Sequence, residues 1–190
     1  MFHYSIDQDT EARLMIPEDA EAYFTLIDSN RTHLAPWLPW VESCLSAEDR
    51  MDCLEAGLDF PESGWCDVGI WHAGTLAGVV GFHRIEPNIR SATFHYFIGA
   101  AYEGRGLITR TCRALVDDVF TRDLFNRLVI TVVVENTRSL TVPERLGFHR
   151  DGVLRQVYEH HGRLLDMAVY AMLREDWAAT AVCPSARADA

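Results

Sequence analysis

Glu103-Gly104-Arg105-Gly106-Leu107-Ile108-Thr109 joins an extended run, residues 92–98, to an amphipathic stretch that ends near Phe120. In a strand–glycine turn–helix order, the first backbone N–H groups of the helix have no internal partner and lie at the positive end of its dipole. That arrangement attracts a phosphate or pyrophosphate. A plain tight turn would carry the same two glycines, so the segment makes a phosphate-bearing cofactor the leading idea and leaves the turn as the alternative. Two other phosphate motifs fail. The dinucleotide fingerprint needs a third glycine where Thr109 stands. The P-loop needs a lysine, and all 17 Lys+Arg residues of this chain are arginines. Without lysine, Schiff-base and pyridoxal-lysine chemistry is excluded as well.

A second segment adds to the first. Residues 127–134 are almost continuously apolar and β-branched, as a buried strand is. They end in Glu135-Asn136-Thr-Arg-Ser139 and then Leu140-Thr-Val-Pro-Glu-Arg-Leu-Gly147-Phe148. Ser139 can cap a short helix and Gly147 can close it. With Gly104-x-Gly106 upstream, Asn136-x-x-Ser139 and the Leu-Gly-Phe run in this order, the chain resembles the GCN5-related N-acetyltransferases. Asn30-Arg-Thr-His-Leu-Ala-Pro-Trp-Leu-Pro-Trp40 and the closing Leu165-Asp166-Met-Ala-Val-Tyr170 make it most similar to the RimJ/RimL-type branch, which includes ribosomal-protein N-terminal acetyltransferases. The resemblance covers residues from about 9 to 177.

The resemblance implies an α/β fold. Its central sheet is mixed and mostly antiparallel, splayed between the family's fourth and fifth strands, with helices on both faces. It implies acetyl-CoA as co-substrate and no metal. Glu103, Gly104, Arg105, Gly106, Leu107, Ile108 and Thr109 match the pyrophosphate loop. Tyr96, Phe97 and Ile98 match the strand that pairs with the pantetheine arm, where a free N–H can also polarise the thioester carbonyl. Asn136 matches the pantetheine-contacting residue, and Ser139 stands where a hydroxyl can reach the sulfur. Both also have a plain role as caps of the strand-to-helix turn. Trp37, Trp40 and His95 are candidates for the acceptor site, although two tryptophans in an apolar loop equally suit a core.

The reaction implied is direct attack of a neutral amine on the thioester. An α-amine, with a reference pKa of about 7.7–8.0, is roughly one-third neutral near pH 7.5, against about a tenth of a percent of lysine amines. An α-amine therefore needs only a weak base. The chain departs from the family at the acid–base positions: Thr93 replaces a common Glu, and Pro143 replaces a common Tyr. Glu159, Tyr158, His83, His95 and Ser139 remain as candidates. Of these, His83 titrates in the most suitable range, with a packed core histidine as its alternative. The expected acceptor is a protein N-terminus such as that of a ribosomal protein. The alternatives are a small-molecule amine (amino acid, polyamine, aminoacyl nucleotide or antibiotic) or, in a different class, a CoA sensor without turnover.

These residues require elements to place them. Residues 1–15 suggest a first strand, and Pro17 opens a helix reaching about Ser29 with Ala20, Phe24 and Ile27 on one face. Ser46-Ala-Glu-Asp49 resembles a capping box before Met51, Leu54 and Leu58. Residues 67–71 and 75–83 read as strands around His72-Ala-Gly74. Ile108, Cys112, Leu115, Val116, Val119 and Phe120 share a helical face. A final hairpin, about 152–159 and 164–173, turns at His160-His161-Gly162-Arg163. One domain over 1–177 and a flexible tail over 178–190 are expected.

The bulk of the sequence narrows the class. Its 190 residues suit one ordinary domain, with 48% hydrophobic and 24% charged residues. No apolar run approaches the roughly 18–20 residues that span a bilayer, and the N-terminus lacks the features of a signal peptide. Five cysteines (44, 53, 66, 112 and 183) form no C-x-x-C pair, which points to reduced thiols in the cytoplasm and away from zinc. The net charge of −11 argues against direct nucleic-acid binding and is compatible with a cationic acceptor, although solubility alone accounts for it. A homodimer is expected by analogy with the family.

Overall fold

The computed structural model describes residues 2–182. The expected single first strand is instead a hairpin of β1 (His3–Asp7) and β2 (Thr10–Leu14). The Asp7 carboxylate accepts from Asp9 N at 3.0 Å. This local Asx turn reverses the chain where a strand pattern alone reads straight through. After a 3-10 turn begun by Pro17 come α1 (Ala20–Ser29), the short α2 (Arg31–Leu34) and α3 (Trp40–Ser43), and α4 (Glu48–Leu58). Then follow β3 (Cys66–His72), β4 (Thr75–Glu86), β5 (Ser91–Ile98), α5 (Leu107–Thr121), β6 (Arg127–Val133) and α6 (Thr137–Leu146). The chain closes with β7 (His149–His160), β8 (Arg163–Leu173) and α7 (Arg174–Val182). The tail expected from residue 178 therefore begins inside α7, and residues 183–190, with Cys183, lie outside the described residues.

The strands follow the order β1-β2-β3-β4-β5-β6-β8-β7 in a mixed sheet. β5 and β6 run parallel, from Ser91↔Arg127 to Phe94↔Ile130, while the β1–β2, β2–β3, β3–β4, β6–β8 and β7–β8 pairs are antiparallel. This is the α/β class expected from the sequence. None of the described helices is long and apolar enough to cross a membrane.

The chain forms two compact units. The first comprises residues up to 85 and 95–115. Its core is built from Tyr23, Leu26 and Ile27 of α1, Leu54 of α4, and Leu76, Val79 and Phe97 of the strands. Each such side chain contributes about 1.5–3 kcal/mol by leaving water. The buried stripe of α1 is Ala20, Tyr23, Leu26 and Ile27, with Phe24 at its margin. Asp49 makes its half of the capping box, accepting from Ser46 N at 2.8 Å, but α4 begins one residue later than Ser46 as cap would place it, with Ala47 at the N-cap and no side-chain bond from it.

The second unit comprises residues 86–94 and those after 115. Here Leu128, Ile130 and Val132 of β6 lie opposite Met172, Tyr170 and Ala168 of β8, which gives three buried cross-strand pairs. β7 is almost wholly exposed, and its ladder with β8 is interrupted between Leu154 and Tyr158. There Gln156 has a φ of 53° and donates its N–H to Asp166 Oδ1 at 2.9 Å. Such a bulge twists an exposed edge and deters pairing with a foreign strand.

Candidate active site

The glycine turn belongs to the first unit and has the geometry its sequence suggests. Gly104 and Gly106 adopt φ of +73° and +69°, a left-handed backbone that other residues enter only with strain. The first helical bond of α5 is Arg110 N to Gly106 O at 3.0 Å, so the N–H groups of Leu107, Ile108 and Thr109 have no partner further back in the helix. Buried Leu107 and Ile108 side chains hold that turn to the core. Exposed Arg105 lies over the Tyr102 ring, 5.5 Å from its centroid. Arg110 fixes the loop from beneath by donating to Arg105 O at 3.0 Å and to Asp7 at 2.6 Å. Glu103 faces His33 Nε2 at 3.6 Å. Among the described residues no carboxylate is recorded against the Arg105 guanidinium, and that guanidinium beside a helix start whose first amides have no partner further back in the helix suits a pyrophosphate.

Tyr96 and Ile98 are half-buried on β5 and alternate with buried Phe97, whose ring stacks on Tyr23 at 6.1 Å and meets the Trp40 edge at 5.8 Å. Gly78 on β4 passes close by: a Cβ there would lie 2.7 Å from Phe97 O and 3.1 Å from Ile98 Cα. Strand glycines mark such close approaches. Trp40 packs between Phe97 and the Arg50 guanidinium, 4.8 Å from its ring, and Trp37 is half-buried in the preceding loop. Asn30 and Arg31, at the head of that loop, make structural bonds. Asn30 Oδ1 receives Ala100 N at 2.9 Å, tying α1 to the approach of the glycine turn, and Arg31 donates to the carbonyls of Val41 and Cys44.

A polar chain in the same unit brings His83 and His95 together. Asp67 opens the buried face of β3, and its side chain is 0% exposed. One of its oxygens accepts from Tyr23 OH at 3.0 Å, and the other lies 2.8 Å from His95 Nε2. His95 Nδ1 is 3.2 Å from His83 Nδ1. Trp65 stacks on His95 at 5.1 Å and touches His83 at 5.7 Å; its buried indole N–H has no partner among the described residues. Burial first, and then the neighbouring His95, pull the His83 imidazole down to about 4, below the range its residue type led us to expect for base work. Burial and the Asp67 charge raise the Tyr23 phenol well above its ordinary value. Gly81 makes room for the chain, because a Cβ there would stand 2.0 Å from Cys66 O, 2.9 Å from His95 Cε1 and 3.1 Å from Asp67 Oδ1. Sequence reasoning missed Asp67, Trp65, Tyr23 and Gly81 as site residues. The available signal was a carboxylate at the head of an otherwise apolar strand, since buried acids are rarely left unpaired.

In the second unit, Asn136 rather than Ser139 caps α6: its Oδ1 accepts from Ser139 N at 3.2 Å, leaving Ser139 as the third helical residue. Asn reaches the third N–H from one residue outside the helix, whereas Ser139 is already inside it. Gly147 closes α6 with a φ of 85° as expected, and Pro143 is buried within the helix. Tyr158 is half-buried, and burial raises its phenol pKa. Exposed Glu159 accepts from Gly162 N at 2.8 Å, which ties it to the β7–β8 hairpin turn. Among the described residues no cluster of three or more His, Cys, Asp or Glu side chains could hold a metal ion.

Comparison with known proteins follows the same lines. The acetyltransferase (GNAT) domain profile matches residues 11–149. YdaF of Bacillus subtilis (strain 168), named provisionally as a ribosomal N-acetyltransferase, is 30% identical over 93% of this chain and 98% of its own length. The ribosomal-protein-serine acetyltransferase of Escherichia coli (strain K12) is 26% identical over 88% of this chain and 94% of its own. Among solved structures, a RimL ribosomal L7/L12 α-N-protein acetyltransferase in complex with coenzyme A superposes with a TM-score of 0.85 at 23% identity, covering 92% of this chain and 99% of that one, a likeness of fold. From a family profile spanning most of its length and a relative aligned almost end to end, the chain belongs to the GNAT acetyltransferase family, as an N-acetyltransferase that draws its acetyl group from acetyl-CoA.

Proposed function

We propose that the protein acetylates the α-amine of a protein N-terminus, of the kind found on ribosomal proteins. The observation that carries this reading is the alignment, over 98% and 94% of their lengths, with two proteins named for ribosomal N-acetylation, one of them a serine acetyltransferase. The chemistry agrees. Neither Thr93 nor Pro143 can serve as a strong base or acid, and an α-amine, about one-third neutral near pH 7.5, makes the smallest demand on one. The net charge of −11 also suits a cationic acceptor.

Acetyl-CoA supplies the acetyl group as an activated thioester. In this reading the N–H groups of Leu107, Ile108 and Thr109, with Arg105, hold its pyrophosphate. The backbone of Tyr96, Phe97 and Ile98 pairs with the pantetheine arm. Trp37 and Trp40 border the acceptor.

The test is thiol release from acetyl-CoA with peptides bearing free N-termini, serine-initiated ones among them, beside free amino acids, polyamines and aminoacyl nucleotides. Release with peptides at a kcat/KM at least tenfold above the small amines is the expected outcome. A polyamine or aminoacyl nucleotide outperforming every peptide would replace the reading with a small-molecule acceptor. CoA stabilisation in a thermal-shift assay without release from any amine would remove it.

A further inference from the structure

We infer that Asp67, His95 and His83 form a proton relay that accepts the acceptor's ammonium proton at His83 Nε2 and delivers the charge to His95 beside the Asp67 carboxylate. The inference rests on the proposed α-amine acceptor. His83 is the group that meets the amine, while His95 and Asp67 are positioning residues.

The hydrogen bonds admit one arrangement when both rings are neutral. Asp67, as a carboxylate, offers only acceptors, and Tyr23 OH already donates to one oxygen at 3.0 Å. His95 Nε2, 2.8 Å from the other oxygen, must therefore carry its ring proton. The lone pair of neutral His95 then lies on Nδ1, 3.2 Å from His83 Nδ1, so His83 must be the Nδ1–H tautomer. Its own lone pair is left on Nε2, and among the described residues nothing else hydrogen-bonds that ring. The tautomer of each histidine is thus set by the hydrogen bond its other nitrogen makes.

Proton uptake can follow the chain. A proton leaving the ammonium binds His83 Nε2, the Nδ1 proton of His83 crosses to His95 Nδ1, and His95 becomes the imidazolium with Nε2–H still bonded to Asp67. The positive charge ends 2.8 Å from the Asp67 carboxylate, on a ring stacked with Trp65. Acetyl transfer removes two protons from the ammonium. The relay takes the first. The second leaves the nitrogen as its bond to the acetyl carbon forms and the carbon–sulfur bond breaks. One of the two ends on the departing sulfur and the other in solvent. The charged or titratable groups around the rings are Arg84 on β4 and Asp67 on β3, with Tyr23 on α1 and Arg50 and Cys53 on α4 behind Asp67.

Two measurements test this. Two-bond 1H–15N spectra of the 15N-labelled full chain at pH 7.5, with His83→Gln and His95→Gln used for assignment, should show His95 as the Nε2–H tautomer and His83 as the Nδ1–H tautomer. The opposite tautomer on either ring overturns the relay, with no need for activity or for any Asp67 variant to fold. In thiol release with a serine-initiated peptide, His83→Gln and Asp67→Asn should each lower kcat by about a hundredfold to ten-thousandfold at pH 6.5. The deficit should shrink as pH rises to 9, past the amine's own pKa of about 8, while KM for acetyl-CoA stays put. The double variant should be no worse than His83→Gln alone. A deficit constant from pH 6.5 to 9, or one that multiplies in the double variant, shows a merely structural role and overturns the proposal. Wild-type protein inactive on every peptide would sink the acceptor reading, and the tautomers would then decide the relay alone.

Discussion

Gly81→Ala joins stability and chemistry in one substitution. The added Cβ would begin 2.0 Å from Cys66 O, whereas real Cβ atoms essentially never approach within 3.0 Å, so β3 and β4 must part by about 1 Å at the Asp67↔Gly81 pair. Overpacking of this kind costs about 1–3 kcal/mol. Ladder hydrogen bonds stretched beside it forfeit about 0.5–1.5 kcal/mol each. The sum is about 3 kcal/mol, which for a chain of this size lowers Tm by roughly 6–12 °C. The same parting draws Asp67 away from His95, so kcat for a peptide acceptor should fall along with Tm, while KM for acetyl-CoA changes little. Circular-dichroism melts and thiol-release kinetics read the two effects. Gly152→Ala is the matched control, because a Cβ there meets nothing within 4 Å and the change should stay within about 0.5 kcal/mol. A Gly81→Ala protein melting within 2 °C of wild type with full kcat would refute both the close packing of these strands and its link to the histidine chain.

Three further outcomes are expected. Gly106→Ala forces a side chain onto a φ of +69°, where its nearest neighbour is only the movable tip of Arg110, so its stability cost is about 1–2 kcal/mol of backbone strain. Displaced first-turn amides should raise KM for acetyl-CoA about tenfold or more, at about 1.5–3 kcal/mol per lost bond to a charged group; an unchanged KM would detach the turn from the pyrophosphate. Asn136→Ala should cost about 0.5–2 kcal/mol as a lost cap, and Asn136→Asp should restore that stability. Circular-dichroism melts of the two variants check this, and an Asp variant melting no higher than the Ala variant would remove Asn136 as the cap. His83 gives a pH signature. Its folded value of about 4 lies below the ordinary 6.5, so the unfolded chain binds more protons between those values and stability falls as pH drops from about 6.5 to 4. Melts across that range should decline less steeply in His83→Gln than in wild type, and parallel declines would place the imidazole in a solvent-like setting.

The glycine turn was legible in the sequence because its conformation is local. Gly104 and Gly106 supply positive φ, and the apolar face after Leu107 sets the helix that follows. Asn136 and Gly147 are legible for the same reason, as residue types that satisfy helix ends from a few positions away. The β1–β2 hairpin was missed because an Asp7–Asp9 side-chain turn leaves no glycine or proline to mark it. Asn136 and Ser139, three residues apart, are both capping residue types, so residue type alone left open which of them caps α6.

The sequence by itself determined the family, the phosphate-ready helix terminus and the α/β alternation, since each depends on residues within a turn or a strand of one another. Only the tertiary structure decided where the candidate acid–base groups stand and what they touch. Glu159, attractive as a carboxylate, is tied to its own hairpin through Gly162. His83 and His95, separated by 12 residues, meet Asp67, 28 residues before His95, because β3, β4 and β5 are neighbours in the sheet and Gly81 leaves room for them. Cross-strand pairing sets such meetings through register, and register depends on how whole strands bury their faces. That is a property of the assembled sheet, and no short stretch of the chain carries it.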